Sequence, residues 1–387
     1  MTAEDRKPGT TAVEAGRMSA EHFGVVNTPV YRASTILYPD LAALEARDAR
    51  YVYGRVGTPT SRSLEEAITA LEGGARTFLH PSGMNAIASA IMSVCSGGDH
   101  ILVADCCYGP TRSFCDKILK RFGVETTYYD PLIGERIAEQ IRPNTKAVYC
   151  ESPGTLTFDV QDVPAIAQAA HAHGASVLLD NTWATPLLFD AFDHGVDISI
   201  QAATKYIGGH ADVMIGYVTA DETHKARLAE FHALSGLCVS GDDCFLALRG
   251  LRTMPVRLKR HEETALKLAR WLKARPEVAC VLHPGLEDDP GHAIWTRDFS
   301  GSSGLFGVVL RPVPHAAFAA FMDSFEHFGL GFSWGGYESL IIPATFLRTV
   351  RKFEADGPIV RIHAGLEDAD DLIADLERGF ARMKAAL

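Results

Sequence analysis

Residues 176–210 read SVLLDNTWATPLLFDAFDHGVDISIQAATKYIGGH, and this stretch decides the fold. It opens on an apolar run, Ser176–Asp180, that ends in a carboxylate. It closes on a second run, Ile198–Ala202, followed at once by Thr204, Lys205 and the pair Gly208–Gly209. Short apolar runs of this kind, rich in β-branched residues and bounded by turn residues, are buried strands. In an open α/β sheet, ligands bind in the crevice outside the carboxyl ends of the strands. Asp180, Thr204 and Lys205 all fall there.

Working outward, the same pattern repeats from about residue 60 to 220. Strands are predicted at Thr77–His80, His100–Asp105, Val124–Tyr129, Ala147–Glu151 and Val213–Val218, beside the two already named. Helix-like stretches lie between them: Ser63–Leu71, Met84–Val94, Thr111–Phe122 and Val163–His173. Their apolar residues fall at i, i+3, i+4 spacing, as in Ile87, Ala90, Ile91 and Val94. Alternation of this kind implies a mostly parallel sheet covered on both faces by helices. After about residue 240 the pattern changes. A long helical stretch from Asp242 to Arg270, interrupted near Pro255, leads into strands at Cys280–His283, Leu305–Leu310 and Ile359–His363 and a last helix, Asp370–Met383. The expected division is an N-terminal arm (1–58), a large α/β domain (59–250) and a smaller C-terminal α+β domain (251–387).

Composition sets the class. The chain has 387 residues, more than one compact core usually holds, with 47% hydrophobic and 22% charged residues, ordinary for a globular enzyme-sized protein. Its formal net charge of −11 argues against a nucleic-acid or anionic-membrane partner. No apolar run approaches membrane-spanning length, and the N-terminus lacks the apolar core of a signal peptide. The 8 cysteines form no C-x-x-C pair. Free buried thiols in a reducing cytoplasm are expected, with the vicinal Cys106–Cys107 as a redox-sensitive alternative, and no metal site is expected.

The strand ends carry the candidate chemistry. Lys205 follows an apolar strand and precedes YIGGH, so it points into the crevice rather than to bulk solvent. Asp180 needs a partner, because an isolated buried charge is expensive; a protonated ring nitrogen or a helix N-terminus would serve. Ser82-Gly83-Met84-Asn85 joins a strand to a helix N-terminus, where free N–H groups receive phosphate. Tyr108, in CCYGP, is a stacking ring or an ordinary half-buried tyrosine. Arg361, in IVRIHAGLED, is an arginine inside an apolar strand; a substrate carboxylate or an internal Asp or Glu would satisfy it. An amino-acid carbanion needs such a set: an imine-forming lysine, a carboxylate on a pyridine nitrogen, a stacking ring, a phosphate cradle and a guanidinium.

As an ensemble these residues resemble the Cys/Met-metabolism family of pyridoxal-5′-phosphate enzymes, of the aspartate-aminotransferase fold type. The resemblance runs from about Val26 to Met383. It is carried by YGRVGTPT (53–60), DPLIG (130–134), ESPG (151–154), DNTWAT (180–185), DISIQAATKYIGGH (197–210), LRGLRT (248–253), SGLF (303–306), SWGGYESL (333–340) and RIHAGLED (361–368). It implies that Lys205 holds pyridoxal 5′-phosphate as an imine and moves protons, that Asp180 pairs with the pyridine nitrogen, and that Tyr108 stacks on the ring. Gly83, Met84 and Thr204 would hold the phosphate. Tyr53 and Arg55 would reach it from the neighbouring subunit, in a homo-oligomer built as a dimer of dimers. Arg361 would bind the substrate carboxylate with Ser333 and Trp334.

Within the family the β-eliminating lyases are nearest. They share Ala202, where γ-acting relatives usually carry serine, and the non-acidic Phe332. Departures lie at Ala233, where a tyrosine is usual, and at Ser113, where an acidic residue is usual; Arg112 beside it adds positive charge to the distal pocket. The expected activity is α,β-elimination from L-cystathionine or a related S-substituted cysteine, in the cytoplasm. The alternatives are a γ-lyase acting on methionine, cystathionine or canavanine and, more distantly, a cofactor-binding regulatory protein. A dinucleotide-binding oxidoreductase fits the alternation but lacks a G-x-G-x-x-G turn.

Overall fold

The computed structural model describes residues 6–387. Seven strands form the larger sheet: β1 Arg76–His80, β2 His100–Ala104, β3 Glu125–Tyr129, β4 Thr145–Glu151, β5 Ser176–Asp180, β6 Ile198–Gln201 and β7 Gly216–Ala220. Their order is β1-β7-β6-β5-β4-β2-β3. The pairs from β6 to β3 are parallel, whereas β7 runs antiparallel to both β6 and β1. Every residue of β2, β6 and β7 is buried, as expected for strands covered on both faces. One cover is the helix Gly83–Val94, which sets Ala86, Ile87, Ala90, Ile91 and Val94 against Val103, Tyr149 and Ile200. The other includes Val163–Ala172, packed with Val148, Val177 and Leu179.

The chain then builds a second, four-stranded antiparallel sheet from β8 Val278–Leu282, β9 Leu305–Leu310, β10 Leu340–Pro343 and β11 Ile359–His363, in the order β10-β11-β9-β8. Helices Met254–Lys273 and Ala369–Ala385 bury Leu268, Leu272, Leu376 and Phe380 against it.

Three boundaries differ from the sequence reading for identifiable reasons. The strand expected at Val213–Val218 starts only at Gly216, because both backbone groups of Ile215 are taken by Thr204: Thr204 N donates to Ile215 O at 2.9 Å, and Ile215 N donates to Thr204 Oγ1 at 2.9 Å. The stretch Asp242–Arg270 is two helices, Gly241–Leu251 and Met254–Lys273, with Pro255 in the first turn of the second, where its missing N–H costs nothing. The helix expected over Thr111–Phe122 is α-helical at Gly109–Lys117 and tightens to 3₁₀ at Leu119–Phe122. Strand β10 went unread, being four residues long and ending in proline. No helix among the described residues is long and apolar enough to cross a membrane.

Candidate active site

Lys205 lies in the turn after β6, its backbone N–H bonded to Ala202 O at 3.0 Å. Its Nζ donates to Ser333 Oγ at 2.7 Å and sits 5.3 Å from the centre of the Trp334 ring. Burial first, and then the nearby Arg361, draw its pKa down to about 8 against the opposing pull of Asp180. Ser333 is thus the junction of this part of the site, for its carbonyl also accepts from Arg361 Nη2 at 2.8 Å. Arg361 projects from β11 and has no carboxylate partner among the described residues; burial lowers its pKa to about 10. Of the two ways to satisfy this arginine, the internal acid is therefore absent.

Asp180 ends β5, directly in register with Glu151 at the end of β4. It accepts from Thr182 N at 3.0 Å and from the Tyr149 hydroxyl at 3.4 Å. It caps no helix, since the next one starts at Thr185 behind Ala184. Burial raises its pKa. No cation lies in hydrogen-bonding contact with it among the described residues, so the carboxylate is ready for a protonated ring nitrogen. Glu151 was not singled out from the sequence, although it ends an apolar strand just as Asp180 does. Its Oε2 accepts from Tyr108 N at 2.7 Å and its other oxygen from the Thr155 hydroxyl. Burial and Asp180 push its pKa up to about 8. Tyr108 follows β2 and is 44% exposed, with its backbone N–H held by Glu151.

The structure passes a direct test for a phosphate group. Gly83 and Met84 open the helix Gly83–Val94, and Ser82 caps it by accepting from Asn85 N at 3.1 Å. Among the described residues no protein acceptor takes the N–H of Gly83 or Met84. A Cβ on Gly83 would stand 2.5 Å from the Ala202 Cβ, so glycine is required where this turn meets the Lys205 segment. Thr204 is less free than expected: its hydroxyl donates to Ile215 O at 3.0 Å, a bond that a phosphate would have to replace.

Tyr53 and Arg55 do not join Lys205 in their own chain. Arg55 Nη1 donates to Ala233 O at 3.0 Å, and both residues line a separate cleft of about 480 Å³ with Tyr31, Arg32 and Asp242. Arg112 corrects the sequence reading. Its guanidinium does not charge a distal pocket: it is buried, donates to Asp105 Oδ1 at 2.6 Å and lies 3.6 Å over the Tyr128 ring. Asp105 in turn accepts the backbone N–H groups of Thr349, Val350 and Arg351. Ser113, Ala233 and Phe332 are exposed. Six of the cysteines are buried, Cys106 and Cys107 among them, but Cys238 and Cys280 are exposed, against expectation.

A desolvated lysine, a buried carboxylate, a helix N-terminus with free N–H groups and, among the described residues, an arginine without an acidic partner are groups that a phosphorylated aldehyde cofactor and an amino acid would engage. Comparison with known proteins agrees. Residues 9–381 match the Cys/Met metabolism PLP-dependent enzyme family. A putative cystathionine beta-lyase of Rhizobium johnstonii is 51% identical over 97% of this chain and 96% of its own. Cystathionine beta-lyase MetC of Escherichia coli is 44% identical over 98% and 99%. Among solved structures, cystathionine gamma synthase from Xanthomonas oryzae pv. oryzae in complex with cystathionine superposes with a TM-score of 0.91 at 33% identity, over 99% of this chain and 100% of that one. The chain belongs to the Cys/Met metabolism family of pyridoxal phosphate-dependent enzymes, with the fold type I architecture of its solved members.

Proposed function

We propose that the chain is a carbon–sulfur lyase of the cystathionine β-lyase type, cleaving L-cystathionine or a related S-substituted cysteine by α,β-elimination to a thiol and aminoacrylate, which water then hydrolyses to pyruvate and ammonia. The observation that carries this reading is Arg361, a half-buried guanidinium without an acidic partner among the described residues, joined through Ser333 to the amine of Lys205. An amino acid's carboxylate supplies the missing anion and so delivers Cα to that amine.

Pyridoxal phosphate, when bound, supplies the carbonyl that takes up the substrate's amino group and the sink for the electron pair left at Cα. The chain's own residues do the rest. Lys205 Nζ, with its pKa drawn down to about 8, is partly unprotonated at neutral pH and takes the Cα proton. Ser333 Oγ keeps Nζ oriented between strokes. Asp180 retains the proton on the ring nitrogen. Gly83 and Met84 receive the phosphate through their N–H groups, with the Thr204 hydroxyl beside them, and the Tyr108 ring stacks on the cofactor. Once the Cβ–S bond breaks, the thiolate takes a proton from Lys205 Nζ or the Tyr108 hydroxyl. Tyr53 and Arg55 serve the site of a neighbouring copy, in a dimer of dimers, and the assembly works in the cytoplasm. On this reading residues 1–58 are the exchanged arm, 59–250 hold the cofactor and 251–387 bring Ser333, Trp334 and Arg361 to it.

The burial of Arg112 withdraws the one positive charge that favoured an unusual distal group and hence γ-elimination. The test is the keto acid formed from L-cystathionine by the cofactor-loaded enzyme. Pyruvate with homocysteine supports the proposal; 2-oxobutyrate with cysteine assigns γ-elimination instead.

A further inference from the structure

Arg361 and His363 stand two residues apart on β11, so their side chains share one face of the strand. Arg361 reaches the Ser333 carbonyl. His363, fully buried, reaches the same turn two residues further on, its Nε2 lying 3.0 Å from Gly335 N. Its Nδ1 lies 3.1 Å from Glu338 O. An amide N–H can only donate and a carbonyl can only accept. Nε2 must therefore carry the lone pair and Nδ1 the proton, which fixes a single neutral tautomer. Burial, and then His261 beside it, holds the His363 pKa well below the usual imidazole value, in agreement with that assignment.

The turn needs such a clamp. Ser333 is left-handed, with φ +78°, a conformation a non-glycine residue keeps only when its surroundings enforce it. Gly335 follows at φ +85°, and a Cβ there would stand 2.9 Å from Lys205 C, so the turn rests on the backbone of the lysine itself. Three side-chain contacts fix it: Lys205 Nζ on Ser333 Oγ, Arg361 on Ser333 O, and His363 on Gly335 N. The first two are made by groups that must leave or share them during turnover. His363 touches neither and stays.

We propose that His363 is a positioning residue, a permanent neutral-imidazole clamp that keeps the Ser333–Gly335 turn in place while Lys205 and Arg361 exchange partners. The proposal rests on the reading above only in taking Arg361 as the substrate's carboxylate site.

The test compares the cofactor-loaded wild-type enzyme with His363→Leu, which removes both polar contacts, and His363→Gln, whose Oε1 reaches the position of Nε2. Amide hydrogen exchange in peptides spanning 333–338 is expected to quicken at least tenfold in the leucine variant, about the loss of a net hydrogen bond or more, with β9 unchanged. With L-cystathionine, KM should rise about tenfold while kcat falls by less than threefold, and glutamine should restore both. Unchanged exchange at 333–338, or acceleration spread equally over β9, overturns the proposal, as does a fall in kcat with constant KM. If the leucine variant does not fold, His363→Asn, too short to reach Gly335, is expected to show the same local exchange. The exchange measurement needs no substrate, so it decides the clamp even if cystathionine is not cleaved.

Discussion

Glu151 and Asp180 end neighbouring parallel strands in direct register, placing two buried carboxyl groups side by side at the floor of the crevice. Like charges so close cannot both ionise cheaply. Burial and the neighbouring Asp180 push the Glu151 pKa up to about 8, and burial raises that of Asp180 as well, so the pair resists carrying two negative charges. Glu151 also accepts the Tyr108 N–H. Replacement by alanine leaves that donor and the Thr155 hydroxyl without an acceptor, whereas glutamine keeps one for Tyr108. Glu151→Ala is therefore expected to lose about 1–3 kcal/mol of stability, read as a fall in thermal midpoint at fixed protein concentration. Its kcat/KM should fall roughly ten- to hundredfold, with Glu151→Gln within about tenfold of the wild type. Equal losses in the two variants would show that the anchoring of Tyr108 is not what Glu151 contributes.

A second buried acid lies away from the site and gives a prediction about stability alone. Glu72 is fully buried, with Tyr217 donating to Oε1 at 2.7 Å and Oε2 unpartnered among the described residues. Burial raises its pKa from 4.5 to about 7. Between those values the folded chain binds a proton that the unfolded chain has released, so stability falls as pH rises through this window and stays lower above it. Glu72→Gln cannot ionise. It should match the wild type near pH 4 and exceed it by on the order of 3 kcal/mol at pH 8, since each tenfold change in proton affinity is worth about 1.4 kcal/mol. Denaturant unfolding at the two pH values measures the difference, and a constant offset between the proteins would contradict it.

What the sequence made legible follows from how local each signal is. Asp180 and Lys205 close apolar strands within a few residues, so strand pattern alone put them in the crevice. Glu151 carries the same signal in KAVYCESPG and could have been found by applying the same rule to it. The spacing of Arg361 and His363 marks one face of a strand, yet what that face holds, a left-handed turn some 28 residues upstream, is set by tertiary packing. Arg112 misled for the same reason. Its partner Asp105 is close in sequence, but the loop that seals the pair, Thr349–Arg351, arrives from the second sheet's side of the chain. Pairing across such distances leaves no periodicity to read.

Tyr53 and Arg55 lie in a stretch whose apolar side chains are unusually bare: Phe23, Val26, Leu37, Leu41 and Val56 are all exposed. A contact with a second copy of the chain would cover such a surface. Within one chain, and among the described residues, Arg55 hydrogen-bonds only to Ala233 O, in a cleft apart from Lys205. If the arm crosses to a neighbour, an Arg55→Ala chain and a Lys205→Ala chain, each inactive alone, complement each other when mixed and reassembled. In a two-fold dimer, random mixing makes half of the molecules hybrids, and each hybrid holds one intact site of two, so about a quarter of wild-type activity should return. If instead Arg55 served its own chain, every hybrid site would lack either the arginine or the lysine, and mixing would recover nothing. Native mass measurement of the hybrid separates that outcome from simple failure to exchange subunits.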